Sequence, residues 1–338
     1  MRFREFGVSV GTLPTGTHNA ITDVDGVRVG HHTLNIGENI RTGVTAILPH
    51  GVNLFTEPVR GAVHTINGFG KACGFEQVRE LGKIETPLLL TSTLNVGKVA
   101  DACIDYMLEA NPTLRSVNPI VGECNDGYLS NIHGRHITSA HVRSAIVGAQ
   151  SSTVAEGCVG AGTGTSCYGL KGGIGTASRR VAQYTLGVLM QTNFGRREEL
   201  TILGVPIGQH LAQDDVPPPP TGDGSVMIVI ATDAPLTARQ LGRLSHRVAF
   251  GLGRTGTVCH HGSGDFVIAF STDRTQSYID DEVLPMNGLF QAVVESVEES
   301  VYNALCVAET THGHRGHYLT ALPHDTLRRW LHYYHRLS

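Results

Sequence analysis

The chain has 338 residues, of which 41% are hydrophobic and 17% charged, and a formal net charge of −4. This is the profile of a globular protein, and it offers neither the basic surface for nucleic acid or an anionic membrane nor the ~18–20 apolar residues of a bilayer span. The charged start MRFREFGVSVGTLPTG lacks the apolar core of a secretory leader, so a cytoplasmic protein with no nucleic-acid or membrane partner is expected.

In chain order, residues 19–34 read as extended and broken at Asp25-Gly26, a turn dipeptide, and GVTAILPHG (43–51) reads as a buried strand. GKVADACIDYMLEAN (97–111) carries Val99, Cys103 and Met107 at helical spacing. NPIVGECNDGYLSN is an apolar run that breaks into a polar loop, and residues 136–149 predict a second helix. A glycine-rich stretch follows at 157–176; tight turns and close backbone approach account for it. Residues 182–195 and 199–208 read as two strands joined by a loop that holds Asn193.

Then comes PPPPTGDG (217–224), running straight into the strand SVMIVIAT. TARQLGRLSHRVAFGLGR (237–254) predicts one helix, opened by a Thr237/Gln240 capping box and striped by Leu241, Leu244, Val248 and Leu252. SGDFVIAFST reads as a strand. MNGLFQAVVESVEESVYNALCVAE predicts a long amphipathic helix with the acids of VEESV on its wet face. The aromatic, basic end, DTLRRWLHYYHRLS, reads as a helix packed on the body or on a neighbouring subunit.

Strands and helices mix without strict βαβ alternation, which favours an α+β fold. The prolines cannot enter a central strand and divide residues 1–224 from 225–338. Because the second piece opens directly on a strand that needs a partner sheet, 1–338 reads as a single interlocked domain with a nick site.

The chemistry centres on that junction. A serine beside a scissile bond can attack the preceding carbonyl, and hydrolysis of the resulting ester frees a serine whose own α-amine stands beside its hydroxyl. An α-amine with pKa near ~7.7–8.0 serves as a base close to neutrality. Gly224 suits such a bond because it tolerates a distorted backbone and offers no side chain to block attack. Ser263 and Asp265, two apart on a strand, point to the same side and can hold the amine and hydroxyl. Taken alone, the same residues also read as an ordinary linker and a Gly-bent Asp/Ser turn.

Other features carry less. The seven cysteines form no C-x-x-C pair and read as reduced, mostly buried thiols, not a disulfide framework or a zinc site. GAGTGTSCYGLKGG lacks the phosphate-loop pattern, since Lys171 is followed by Gly172. His31-His32 and His260-His261 point to opposite faces of a strand, and the His312, His314, His317 loop lacks a completing acid or cysteine. No H-E-x-x-H is present, so no metal ligand is assigned.

DGSVMIVIATDAPL, GSGDFVIAFST, GAGTGTSCYGLKGGIGTASR, NAITDVDGVRVGH and ETPLLLTSTLNVGKVAD, together and in order, resemble the self-cleaving aminopeptidases. These comprise the L-aminopeptidase/D-amino-acid esterase-amidases and the β-peptidyl aminopeptidases. The resemblance spans residues 11 to about 325. It implies a four-layer αββα sandwich similar to the N-terminal nucleophile hydrolases but differently connected. It also implies cleavage between Gly224 and Ser225 into an α chain (1–224) and a β chain (225–338), and a homo-oligomer of αβ units.

By the same resemblance Ser225 is the nucleophile, Ser263 and Asp265 orient it, and Asn193 stabilises the oxyanion. Glu123 receives the substrate's ammonium. Asn125 stands where some relatives place an aromatic, and Tyr128 is a possible substitute. Asp265 replaces the glutamate of some members. The implied substrate is a peptide or amino-acid amide or ester with a small N-terminal residue of L, D or β type, handled without a cofactor. Two alternatives stand beside this: an acyltransferase of the ornithine acetyltransferase type, whose β chain begins with threonine, and an uncleaved inactive binding scaffold.

Overall fold

A computed structural model describes residues 1–213, 224–275 and 279–337. The proline run at 217–220 lies outside the described residues.

In chain order the elements are β1 (Arg28–Ile36), β2 (Ile40–Leu48), β3 (Val59–Gly68), α1 (Phe75–Leu81), β4 (Lys83–Ile84), β5 (Leu88–Ser92), α2 (Val96–Ala110), β6 (Ile120–Cys124) and α3 (Ser139–Val147). Next come β7 (Ser166–Cys167), β8 (Leu170–Lys171), β9 (Ile174–Val181), β10 (Tyr184–Asn193) and α4 (Ile207–Gln213). The last third holds β11 (Ser225–Thr232), α5 (Ala238–Ser245), α6 (Val248–Arg254), β12 (Gly264–Ser271), α7 (Met286–Val307) and α8 (His324–Tyr333).

Two sheets form the middle of the molecule. One has the order β1-β2-β5-β6 and the other β4-β3-β12-β11-β10-β9. The β5/β6 and β11/β12 pairs are parallel, and the remaining neighbours antiparallel. Successive strand residues point to opposite faces, and β11 shows the result. Met227, Val229 and Ala231 pack with Leu88, Leu90, Ile120 and Cys124 of the smaller sheet. Val226, Ile228 and Ile230 pack instead with Leu241, Leu244, Leu252 and Val297 of α5, α6 and α7. On the far side of the smaller sheet, Val121 and Leu89 meet Val99, Cys103, Met107 and Ile146 of α2 and α3. The layers are therefore helix, sheet, sheet, helix, an α+β sandwich.

Away from the site, three local expectations differ from the structure. Residues 199–208 are not a strand: Ile202 and Val205 bridge across a tight turn whose Leu203 and Gly204 both have positive φ, and α4 starts at Ile207. Helix 237–254 breaks at His246–Arg247, because α5 lies on β3 and β12 while α6 lies on α7. The acids of α7 are not its wet face. Glu295, Glu298 and Glu299 are buried, since arginines from distant segments supply countercharge that helical periodicity cannot reveal. The C-terminal helix α8 packs on the body through Leu327 and Leu331.

Candidate active site

Strand register brings the predicted residues to one corner. Asn193, the last residue of β10, lies opposite Ser225, the first of β11, and Ser225 lies opposite Gly264, the first of β12. Asn193 therefore ends a strand instead of sitting in a loop. Its Nδ2 donates to Ser225 Oγ at 3.4 Å, and the Asn125 backbone N–H donates to the same oxygen at 3.4 Å. Ser225 is buried in the continuous chain.

The preceding carbonyl is also held, since Gly264 N–H donates to Gly224 O at 3.2 Å. Gly224 has no room for a side chain. A Cβ there would lie 2.8 Å from both the Asn193 carbonyl oxygen and Phe194 Cα, closer than real contacts allow.

At the mouth of the neighbouring strand, Ser263 Oγ, one residue before β12, donates to Asp265 Oδ1 at 2.6 Å. Asn67 fixes the approach by donating Nδ2 to the carbonyls of His260, His261 and Ser263. Asp265 Oδ2 is buried and makes no hydrogen bond of normal geometry. Burial raises the Asp265 pKa, partly offset by the bond from Ser263 and by the adjacent Cys259 thiol. An orphaned buried carboxylate oxygen is costly, and a cationic amine at the start of β11 would relieve it.

Glu123, on β6, is buried, and its Oε1 accepts the Lys71 N–H at 3.1 Å with Lys71 Nζ at 3.8 Å. Burial raises the Glu123 pKa while the Lys71 charge and N–H pull it back. Asn125 reaches Ser225 through its backbone only; its side chain is committed to a turn, with Oδ1 accepting the Gly127 N–H at 2.8 Å. Tyr128 is stacked on His317, ring centroids 4.5 Å apart.

Peptidase family S58 matches residues 19–319. The chain belongs to this family. It is 39% identical to a β-peptidyl aminopeptidase, BapA, of Sphingosinicella microcystinivorans, covering all of this chain and 93% of that protein. Among solved structures it resembles protein PH0078 of Pyrococcus horikoshii, with a TM-score of 0.91, 45% identity and 99% of each chain covered. It also resembles the L-aminopeptidase D-Ala-esterase/amidase of Ochrobactrum anthropi, with a TM-score of 0.90 and 38% identity, covering 100% of this chain and 99% of that one. That enzyme is described as a prototype of the serine aminopeptidases and a variant of the N-terminal nucleophile hydrolase fold. This S58 protein is accordingly a hydrolase of that fold class, an aminopeptidase acting on peptide or amide substrates.

The S58 corner also contains residues that sequence reasoning passed over. Ser166 donates its N–H (3.2 Å) and its Oγ (3.1 Å) to Asn193 Oδ1, which turns the amide so that Nδ2 faces Ser225. Lys171 is fully buried and gives three hydrogen bonds to the carbonyls of Gly162 (3.1 Å), Thr165 (2.9 Å) and Gly172 (2.7 Å). Its ammonium clamps the glycine-rich turn from which Ser166 projects. The signal was a lone lysine in a glycine-rich run, discounted as a phosphate ligand; backbone carbonyls are its partners. No helix of the described residues is long and apolar enough to cross a membrane.

Proposed function

We propose that Ser225 is the nucleophile of this aminopeptidase and that it is exposed by self-cleavage of the Gly224–Ser225 bond. The observation that carries this reading is the convergence of a glycine-only position, an opposed Asn193 amide and a Ser263–Asp265 pair, whose Oδ2 lacks a hydrogen bond of normal geometry, on the first residue of β11. In the first step Ser225 Oγ attacks the Gly224 carbonyl, polarised by Gly264 N–H, and the amide nitrogen leaves as the α-amine of Ser225. Water hydrolyses the ester, leaving the α chain 1–224 and the β chain 225–338.

In turnover the neutral α-amine takes the Ser225 hydroxyl proton, and Oγ attacks the carbonyl of the substrate's N-terminal residue. Asn193 Nδ2 and the Asn125 N–H, which both approach Ser225 Oγ, are the proposed oxyanion donors, and a preorganised donor contributes several kcal/mol. The amine passes its proton to the leaving group, and water then releases the acyl residue. Asp265 Oδ2 and Ser263 are the orienting partners of the amine. Glu123 pairs with the substrate ammonium, which restricts cleavage to free N-termini.

The substrate is a small N-terminal residue of L, D or β type; the BapA relative's name favours β. The remaining parts of the proposal are a cytoplasmic location and a homo-oligomer of αβ units.

Intact-mass analysis tests the reading. Wild type is expected as two co-purifying fragments, the second beginning at Ser225, and Ser225→Ala as one inactive full-length chain. A wild type that stays uncut and still hydrolyses an amino-acid amide would refute self-cleavage, and an active Ser225→Ala would refute the nucleophile.

A further inference from the structure

A buried carboxylate and a half-exposed ammonium stand together at the edge of an open cleft, and the ammonium of Lys71 lines it. The Glu123 side chain is 4% exposed and Lys71 is 56% exposed. Both contacts of Lys71 with the acid fall on Oε1; the Thr93 hydroxyl also favours the ionised carboxylate, and Oε2 is the oxygen that would face a ligand. Lys71 Nζ spends one proton on Thr93 Oγ1 at 2.8 Å, and an ammonium has three.

The cleft is open, about 570 Å³, and is bounded by Gly70, Lys71, Ala72, Cys73, Thr93 and Leu94 among others. Gly70 ties it to the reaction centre. A Cβ at that position would lie 3.2 Å from Gly264 Cα and 3.3 Å from Glu123 Oε1. The acid, the cleft wall and the first residue of β12 therefore meet at one point, one strand from Ser225.

A carboxylate and an ammonium 3.8 Å apart complement a ligand that carries both charges on one carbon. That arrangement is the head group of an α-amino acid. A residue can present it free only when its acyl bond runs through the side chain. From this pairing we infer that Glu123 and Lys71 together bind an α-amino-acid head group, making β-aspartyl (isoaspartyl) amides and peptides the preferred substrates. The inference rests on the reading of Ser225 as nucleophile and Glu123 as ammonium site.

In a β-aspartyl group the amine is β to the scissile carbonyl, as in any β-amino acyl group, and the α-carboxylate is the added feature that Lys71 reads. Ser225 Oγ forms the ester with the side-chain carbonyl and the amide nitrogen leaves with a proton. Water then releases aspartate. A β-amino acyl group without the carboxylate satisfies Glu123 but gives Lys71 no partner. An α-aspartyl group places its carboxylate two bonds from the amine-bearing carbon, outside the span of the pair.

The test compares kcat/KM of the self-processed enzyme on L-β-aspartyl p-nitroanilide and on its methyl isostere, 3-aminobutanoyl p-nitroanilide. Wild type, Lys71→Met and Lys71→Arg are assayed side by side. Wild type is expected to favour the β-aspartyl substrate by about tenfold or more, Lys71→Met to erase that preference mainly through KM, and Lys71→Arg to restore part of it. Because Lys71 also steadies Glu123, both substrates slow in the Met variant, and the ratio isolates the carboxylate contact.

Equal or better cleavage of the isostere by wild type, or a ratio unmoved by Lys71→Met, overturns the inference. If the enzyme cleaves neither substrate and no alanine amide, the Ser225–Glu123 reading itself fails and this one with it.

Discussion

Burial pushes the pKa of both Glu123 and Asp265 upward, and each is pulled back by different neighbours: Lys71 and its N–H at Glu123, Ser263 and Cys259 at Asp265. Only an ionised Glu123 attracts an ammonium, so if Glu123 is the proposed amine site, affinity for an amine falls as the pH drops through its pKa. Removing the Lys71 charge takes away the leading stabiliser of the ionised form. In Lys71→Met the loss of affinity for a non-hydrolysable primary amine inhibitor is therefore expected at higher pH than in wild type. Inhibition constants measured across pH check this, and they report Glu123 apart from the proposed Ser225 amine, whose titration would also enter a rate profile. An unchanged midpoint would mean that Lys71 does not act on the acid. Glu123, Ser263 and Asp265 were legible from motifs. Lys71 was not, because nothing in GKACG signals that its N–H and its ammonium fold back on an acid fifty-two residues away.

At the scale of elements, the glycine-rich stretch is a scaffold for one amide. Lys171 saturates its three protons on carbonyls of the turn, and Ser166, on β7, gives Asn193 Oδ1 two donors. Without the Ser166 hydroxyl the Asn193 side chain is held by one donor and spends part of its time turned away from Ser225, and so from the oxyanion it is proposed to stabilise. Ser166→Ala is expected to lower kcat about tenfold with KM nearly unchanged, a smaller loss than removing the Asn193 donor itself. Steady-state kinetics separate the two parameters, and a change confined to KM would contradict the assignment. The strands at 225–232 and 264–271 were readable because an apolar, β-branched run is a local signal. The turn at 202–205 and the break at 246–247 were not, since each depends on which neighbour the flanking segment must meet.

For the molecule as a whole, one buried arginine joins three regions. Arg179 on β9 pairs with Glu295 (2.8 Å) and Glu299 (2.6 Å) of α7 and donates to Val10 O at 2.8 Å. Arg4 and Asn19 complete the shell of Glu299. Burial opposes ionisation of Glu299, but the Arg4 bond and the Arg179 charge outweigh it and hold the pKa below the usual range. Arg179→Met leaves buried carboxylates short of countercharge, and a loss of about 3–5 kcal/mol is expected. Denaturant unfolding measures it, and a loss under about 1 kcal/mol, the range of an exposed pair, would show the cluster to be dispensable. The sequence alone determined the order and character of most strands and helices, the family, and the residues around the Gly224–Ser225 bond. These are matters of periodicity and contiguous motif. Only the tertiary structure decided that Asn125 offers its backbone instead of its side chain, that Lys71 stands beside Glu123, and that the acids of α7 lie inside. Each of these depends on a partner more than forty residues away, and contacts at that separation leave no trace in local pattern.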